Sequence, residues 1–221
     1  MNRVTDNRLI VAALLGIVLV AVLTLLLSAP PPAPPLSVRS AASEGAMALS
    51  LWLEQSGFNV RQVLSNPIKF GEVDVLFVLN PLYPYTDAEA QRIREWVEQG
   101  NTLVVAGNYP FILNGLLDAF EVSLRYIPSS AQTLSPALPT LDSPPVVSLQ
   151  TDASYAIDTT RDDIVSHVVS GDDRVLISFR QGRGTVWVSG MTQPFTNRGL
   201  QDEQNARLVL NFISNLPEEP V

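Results

Sequence analysis

The residues best suited to acid-base or metal chemistry surround the single histidine of this chain. His167 lies between Asp162 and Asp163 on one side and Asp172 and Asp173 on the other. Imidazole and carboxylate groups at this spacing can bind a metal ion or exchange protons near neutral pH. Two valines follow the histidine directly, and a lone histidine among apolar neighbours is more often structural. We therefore predict no catalytic role for His167.

Other catalytic patterns are also missing from the sequence. The chain has no cysteine, which excludes a thiolate nucleophile, a disulfide and a thiolate zinc site. No serine lies in a Gly-x-Ser-x-Gly turn, and Gly182-Arg183-Gly184 lacks the spacing and the following helix of a nucleotide-binding loop. Arg180 and Arg183 are suited to hold an anion, although solvated turn residues are the simpler interpretation. We expect no catalytic residues, no cofactor and no metal site.

A strand, a helix and a second strand form the centre of the predicted fold. Residues 73–79 are an apolar, β-branched run that is typical of a buried strand. Thr86 and Glu89 form a capping box at the start of a helix, and Gly100 stands at its end. Residues 103–106 follow as a short apolar strand. A βαβ unit of this length predicts two parallel strands with a right-handed crossover.

The flanking patterns predict further elements on both sides of this unit. Two of them, at residues 175–179 and 185–189, are strands joined by a hairpin whose loop contains two glycines. The remaining predictions are a helix over 43–56, strands over 58–64 and 146–149, and helices over 111–120 and 201–215.

The segment at residues 128–145 is rich in serine and proline and contains five prolines. It is too long for an ordinary tight connection. The segment is either a surface loop, which is the simpler interpretation, or a lid.

The N-terminal region predicts a membrane anchor. Leu9 to Leu27 is a run of 19 residues without a charge, long enough to cross a hydrocarbon core and to bind membrane lipid. A cleaved secretory signal is the main alternative, although its apolar region is usually shorter. Arg3 and Arg8 precede the run and predict a cytoplasmic N-terminus with the domain outside the membrane. The expected division is 1–8 cytoplasmic, 9–27 transmembrane, 28–36 proline-rich linker, 37–217 extracytoplasmic domain and 218–221 tail.

The charge of the chain disfavours polyanionic partners. The formal net charge is -8, and residues 36–221 hold 12 of the 14 basic and 21 of the 22 acidic residues. An acidic domain repels nucleic acid and anionic lipid, although ordinary soluble domains are often acidic too. We expect no nucleic-acid partner.

Several stretches together resemble an uncharacterised bacterial family called domain of unknown function 4350. They are SVRSAASEGAMALSLWLEQSGFNV at 37–60, VDVLFVLNP at 73–81, GNTLVVAGN at 100–108 and QGRGTVWVSGMTQPFTNRGLQDEQNARLVLNFI at 181–213. The resemblance implies a membrane-anchored α/β domain with an open, mostly parallel, flavodoxin-like (glutamine-amidotransferase-like) sheet. It implies helices on both faces and, with the transmembrane helix, places the domain outside the membrane.

In such a sheet, ligands bind beyond the carboxyl ends of the strands. Active glutamine amidotransferases need a cysteine at one of these turns, and this chain has none. The groups expected at the edge are hydrogen-bonding and aromatic. The candidate crevice residues for a ligand or partner are Asn80, Tyr83, Tyr85, Asn108, Tyr109, Thr196 and Asn197.

Two functional hypotheses follow from different classes of protein. The first is an anchored, noncatalytic binding or scaffolding domain that works in a membrane complex. The resemblance implies a link to a MoxR-type ATPase system, because genes of the family often neighbour one. The second hypothesis is a cell-envelope hydrolase or transferase that uses the crevice. The missing nucleophile and base favour the first.

Overall fold

The computed structural model describes residues 3–27, 33–63, 68–128 and 132–214. The chain divides into two compact units, Met1–Ala33 and Pro34–Val221. The first unit contains one helix, α1 (Arg3–Leu27), whose side chains are described for residues 11–25. Within the described part of the chain, no helix meets the length and apolarity that crossing a membrane requires. The structure therefore does not bear out the transmembrane helix predicted at residues 9–27, and we correct that prediction.

The second unit begins with a short helix and the predicted βαβ unit. These elements are α2 (Met47–Gln55), β1 (Val75–Leu79), α3 (Asp87–Glu98) and β2 (Thr102–Ala106). The strands β1 and β2 pair in parallel, as predicted.

The predicted ends of α3 are also confirmed. The Thr86 hydroxyl accepts a hydrogen bond from the Glu89 amide at 3.3 Å, and the Glu89 carboxylate accepts one from the Thr86 amide at 2.9 Å. These bonds satisfy two backbone donors of the first turn. Gly100 adopts φ +122, a conformation that glycine reaches without a Cβ clash.

A mixed sheet of five strands is the centre of this unit, in the order β1-β2-β9-β8-β7. Two smaller sheets pair β3 with β6 and β4 with β5. The remaining helices are α4 and α5, and short 3-10 turns lie at 118–120, 193–195 and 199–201. The bounds are α4 Pro110–Leu117, β3 Val122–Tyr126, β4 Gln132–Leu134, β5 Leu149–Thr151, β6 Tyr155–Thr159, β7 Val165–Ser170, β8 Asp173–Gln181, β9 Gly184–Ser189 and α5 Glu203–Ile213.

The strand pairings contradict the open, mostly parallel, flavodoxin-like sheet that we predicted. In the described part of the chain only the pairs β1-β2 and β2-β9 are parallel. The pairs β3-β6, β4-β5, β7-β8 and β8-β9 are antiparallel. The reason lies in the connections, because two residues join β8 to β9 and another two join β7 to β8. Such short connections allow only antiparallel neighbours.

Several local predictions are confirmed, and others are wrong. The hairpin forms at the expected place, with Gln181 opposite Gly184 and Gly182 at φ +59 in its loop. Residues 58–63 are not a strand, and residue 64 lies outside the described residues. The predicted strand at 146–149 is displaced to β5.

The serine- and proline-rich segment is structured where it is described. It forms β4, and Pro136 bridges to Val168 of β7. The Ala137 amide also donates a hydrogen bond to the His167 carbonyl at 2.7 Å. The segment therefore covers the outer edge of β7, a position where an exposed strand would otherwise invite foreign pairing. Residues 129–131 lie outside the described residues.

Buried apolar side chains cover both faces of the large sheet. One core lies between the sheet and α2 and α5, and it includes Val104, Trp187 and Phe212. The other lies between the sheet and α3 and α4, and it includes Leu103 and Ile177. This arrangement explains why β2 is apolar at successive positions, since neither of its faces meets water.

Candidate functional site

Two asparagines join the carboxyl ends of the parallel strands β1 and β2. The Asn80 amide donates to the Ala106 carbonyl at 2.9 Å, and the Asn80 side-chain oxygen accepts from the Asn108 amide at 3.2 Å. Asn80 is buried and adopts φ +48, which asparagine tolerates better than most residues. The structure thus brings these two predicted residues together, with the Asn80 side chain bonded to the protein's own backbone.

Tyr155, at the start of β6, lies over the same edge of the sheet. Its hydroxyl donates to the Asn108 carbonyl at 2.8 Å. Its own carbonyl lies so close to Gly190, just beyond β9, that a Cβ on Gly190 would be 1.9 Å away. Tyr155 therefore spans the carboxyl ends of β2 and β9 and fills the crevice that the parallel fold predicted there. The sequence did not reveal the role of Tyr155, because its contacts with Asn108 and Gly190 join residues that are far apart in the chain.

Four aromatic rings extend this edge, and we call Tyr109, Phe111, Tyr126 and Tyr155 the aromatic edge. The ring centroids of Tyr109 and Phe111 are 6.1 Å apart, and those of Tyr126 and Tyr155 are 5.9 Å apart, both in edge-to-face geometry. Burial raises the pKa of Tyr155, and nearby Tyr126 and Tyr109 raise it further. The two ring pairs are neighbours, because the Tyr155 hydroxyl bonds the carbonyl of Asn108, the residue before Tyr109.

The aromatic edge exposes apolar surface to solvent. Phe111 is 78% exposed and Tyr126 is 66% exposed. The buried side-chain oxygen of Asn108 has no hydrogen-bond partner among the described residues. Exposed aromatic rings of this kind are typical of a surface that binds a partner.

The other two predicted tyrosines differ from each other. Tyr83 is 78% exposed, with no ring contact among the described residues. Tyr85 is half-buried and packs with Ile68 and Phe70 against the core beside α3. Burial raises the pKa of Tyr85 to about 12, with a smaller contribution from Glu89.

Thr196 and Asn197 anchor the segment before α2. The Asn197 side-chain oxygen accepts from the Ala48 amide in the first turn of α2 at 2.7 Å, and its side-chain nitrogen donates to the carbonyls of Ser40 and Ala42. Buried Thr196 closes its own turn by donating to the Gln193 carbonyl at 2.8 Å. Asn197 thus supplies the cap that α2 lacks, since Ala46 offers no side-chain acceptor.

His167 is buried within β7 rather than in a cleft. Its ring nitrogens are hydrogen bonded to the hydroxyls of Thr140 at 2.6 Å and Ser178 at 2.7 Å, and its ring packs on Trp187 at 4.6 Å. Burial lowers its pKa from 6.5 to about 4. Both ring nitrogens have hydrogen-bond partners, and the ring is neutral at pH 7. His167 therefore packs in the core and attaches the segment that contains Thr140 to β7.

Asp163, Asp173 and Arg180, three of the charged residues singled out in the sequence, have side-chain partners within the fold. Arg161 pairs with Asp163, and Arg125 pairs with Asp173. Arg180 donates to the Arg183 carbonyl and to Thr185 inside the hairpin. Among the described residues, no cluster of three or more histidine and carboxylate groups is arranged to hold a metal ion.

Comparison with known proteins identifies the family. The family described as "Domain of unknown function (DUF4350)" matches residues 38–213, and the chain belongs to it. A search of curated proteins finds no match to this chain.

Solved structures show a shared fold. The mmIFT52 N-terminal domain has a TM-score of 0.64 at 15% identity, covering 80% of this chain and 93% of that domain. A cytoplasmic protein from Salmonella typhimurium has a TM-score of 0.51 at 16% identity, covering 77% of this chain and 86% of that one. The exo-β-1,4-mannosidase Op5Man5 from Opitutaceae bacterium strain TAV5 has a TM-score of 0.50 at 13% identity, and the match spans 82% of this chain and 34% of the mannosidase.

Replacing Asn197 by alanine tests the attachment of α2. The change removes three side-chain hydrogen bonds. We expect the free energy of unfolding to fall by about 2–3 kcal/mol, because each bond contributes about 1 kcal/mol. Arg198→Ala is the control, since its bridge to Glu44 is exposed and worth at most about 1 kcal/mol. Equal losses for both variants, in urea unfolding, would contradict the proposed cap.

The lowered pKa of His167 predicts loss of stability in acid. The folded pKa of about 4 lies below the unfolded value of 6.5, so the unfolded chain binds the proton first. The contribution of neutral His167 to the free energy of unfolding is fully present above pH 6.5. It decreases as the pH falls toward 4, by at most about 1.4 kcal/mol per pH unit. We expect His167→Gln to lose this part of the pH dependence when unfolding is measured from pH 7 to pH 4.5. Parallel curves for the two proteins would show that His167 is not buried in its neutral form.

Proposed function

We propose that this chain is a noncatalytic binding domain that contacts a partner protein through the aromatic edge. The exposure of Phe111 and Tyr126, beside Tyr155 and Asn108, is the observation that carries the proposal. Aromatic side chains are enriched at the centres of protein interfaces, where they supply most of the binding energy. The partner works with this domain in a membrane-associated complex, and the family resemblance links that complex to a MoxR-type ATPase system. The extracytoplasmic location stays a prediction.

The chemistry of the aromatic edge defines what the partner must present. Exposed aromatic faces pack well against apolar side chains, so this surface matches an apolar anchor of the partner. The hydroxyl of the exposed Tyr126 can donate and accept hydrogen bonds, which suits a polar group of the partner. The partner segment therefore combines an apolar anchor with an adjacent hydrogen-bonding group.

The environment of the polar groups supports a noncatalytic role. An activated serine or water needs a base within hydrogen-bond reach, and the sole histidine already bonds Thr140 and Ser178 inside the fold. Burial raises the pKa of Tyr155, whose hydroxyl donates to the Asn108 carbonyl, so this group stays protonated at neutral pH. Protonated tyrosine donates hydrogen bonds and binds, but it is a poor general base.

Site-specific photocrosslinking tests the proposal. We expect a benzophenone amino acid in place of Phe111 to give a discrete protein adduct in living cells. The same group in place of Leu138, which is 47% exposed and outside the aromatic edge, should give none. The paired change of Phe111→Ala with Tyr126→Ala should weaken binding of the crosslinked partner at least about tenfold with little change in thermal midpoint. Equal adducts from both positions, or unchanged binding by the paired variant, would contradict the proposal.

A further inference from the structure

The aromatic edge belongs to an acidic domain, and the charged groups beside it are acidic as well. Residues 36–221 hold 12 basic and 21 acidic residues, a net charge of -9. Arg125, the neighbour of Tyr126 in β3, pairs with Asp158 at 2.8 Å and with Asp173 at 2.8 Å. One guanidinium therefore serves two carboxylates in this group.

A second group of the same composition lies near the start of β6. Arg198 pairs with Glu44 at 2.9 Å. Both residues act on Asp152, which lies three positions before Tyr155. Burial raises the pKa of the Asp152 carboxyl, Glu44 raises it further, and Arg198 opposes the rise. The charged groups at both ends of β6 therefore contain more carboxyl groups than guanidinium groups.

The segments that carry the aromatic edge bring no opposing charge. Residues 80–86 and 107–117 follow β1 and β2 and contain no lysine, arginine, aspartate or glutamate. In β3 and β6 the one basic residue is Arg125, whose guanidinium is already paired. A cation that approaches the rings is therefore attracted by the acidic domain, without repulsion from these segments.

Aromatic rings are themselves suited to hold a cation. The face of a ring carries negative charge density, and a guanidinium stacks flat on it while its apolar stem packs alongside. This fold already contains such a contact, because the guanidinium carbon of Arg161 lies 4.3 Å from the centre of the Phe179 ring. An arginine side chain thus combines an apolar stem with a hydrogen-bonding head, the two groups that the partner must present.

We propose that the partner presents an arginine to the aromatic edge and that its guanidinium stacks on an exposed ring, Phe111 or Tyr126. The proposal rests on the binding role proposed above for the aromatic edge, and it adds the chemical class of the group that is bound. The acidic domain steers such a partner toward the rings and disfavours an acidic one. Lysine is a weaker ligand for this surface, because its compact ammonium is more strongly hydrated and does not stack.

Peptide titrations, followed by NMR on the full chain in nonionic detergent, test the proposal. The probe is a capped pentapeptide with one arginine between glycines, and matched peptides carry citrulline, lysine or leucine instead. We expect the arginine peptide to shift the ring signals of Phe111 and Tyr126 and to bind at least about threefold more tightly than the neutral citrulline peptide. Its affinity should decrease as the salt concentration rises from about 0.05 to 0.3 M.

A matched pair of variants separates the rings from the general charge of the domain. Phe111→Leu combined with Tyr126→Leu keeps the net charge and the apolar character but removes two aromatic faces. We expect this variant to lose the preference for arginine over citrulline. Leu138→Ala changes an exposed residue outside the aromatic edge and should keep the preference.

Three results would overturn the proposal. Equal affinity for the arginine and citrulline peptides, or tighter binding of the leucine peptide, would remove the cation, whereas a Phe111 adduct in cells would still support the proposed binding role. An arginine preference that survives the leucine changes would place the cation elsewhere on the acidic domain. An arginine preference without a Phe111 adduct in cells would contradict both proposals, because the rings would then have no partner.

Discussion

The close approach of the Tyr155 carbonyl to Gly190 is the constraint on which the arrangement of this domain depends. Any side chain at position 190 would place its Cβ 1.9 Å from that oxygen. The contact brings the start of β6 onto the end of β9, and the Tyr155 hydroxyl continues to the Asn108 carbonyl beyond β2. The edge where α/β sheets usually form a ligand crevice is therefore filled by the protein's own backbone.

Filling the crevice changes what this edge of the sheet can do. Tyr155 pairs with Tyr126 of β3 through β6, so the small β3-β6 sheet turns its rings outward at the same end as Tyr109 and Phe111. A recessed site would favour a small ligand that is largely enclosed, whereas outward rings favour a broad contact with another macromolecule. The buried, hydrogen-bonded His167 agrees with this view, because the fold uses its one imidazole for packing.

Local patterns predicted the parts of the fold that local contacts determine. The capping box at Thr86 and the glycine-containing hairpin loop at Gly182 specify their elements within a few residues, and the predicted capping box and hairpin are confirmed. The strand β7 was missed because Ser166 and His167 interrupt its apolar pattern, and His167 is buried under a segment that lies 27 residues earlier, at Thr140. Asn197 was predicted to line a ligand crevice, but it caps α2 instead. Its hydrogen bond with Ala48 joins residues 149 positions apart, and no sequence pattern indicates such a distant contact. The mostly parallel sheet that the resemblance implied was wrong, because the unpredicted strand β7 joins β8 through a two-residue connection and so pairs with it antiparallel.

Replacing Gly190 by alanine measures most directly whether the Tyr155 backbone fills the carboxyl edge. Gly190 does not have a positive φ, so the only penalty is the clash with Tyr155. Gly171→Ala is the control, because its φ is +62 but a Cβ there meets open space, which costs about 1 kcal/mol of conformational strain. The account predicts that Gly190→Ala lowers the free energy of unfolding by clearly more than the control, at least about 2 kcal/mol. A Gly190→Ala protein as stable as the unmodified chain would show that the edge is open and would contradict the account.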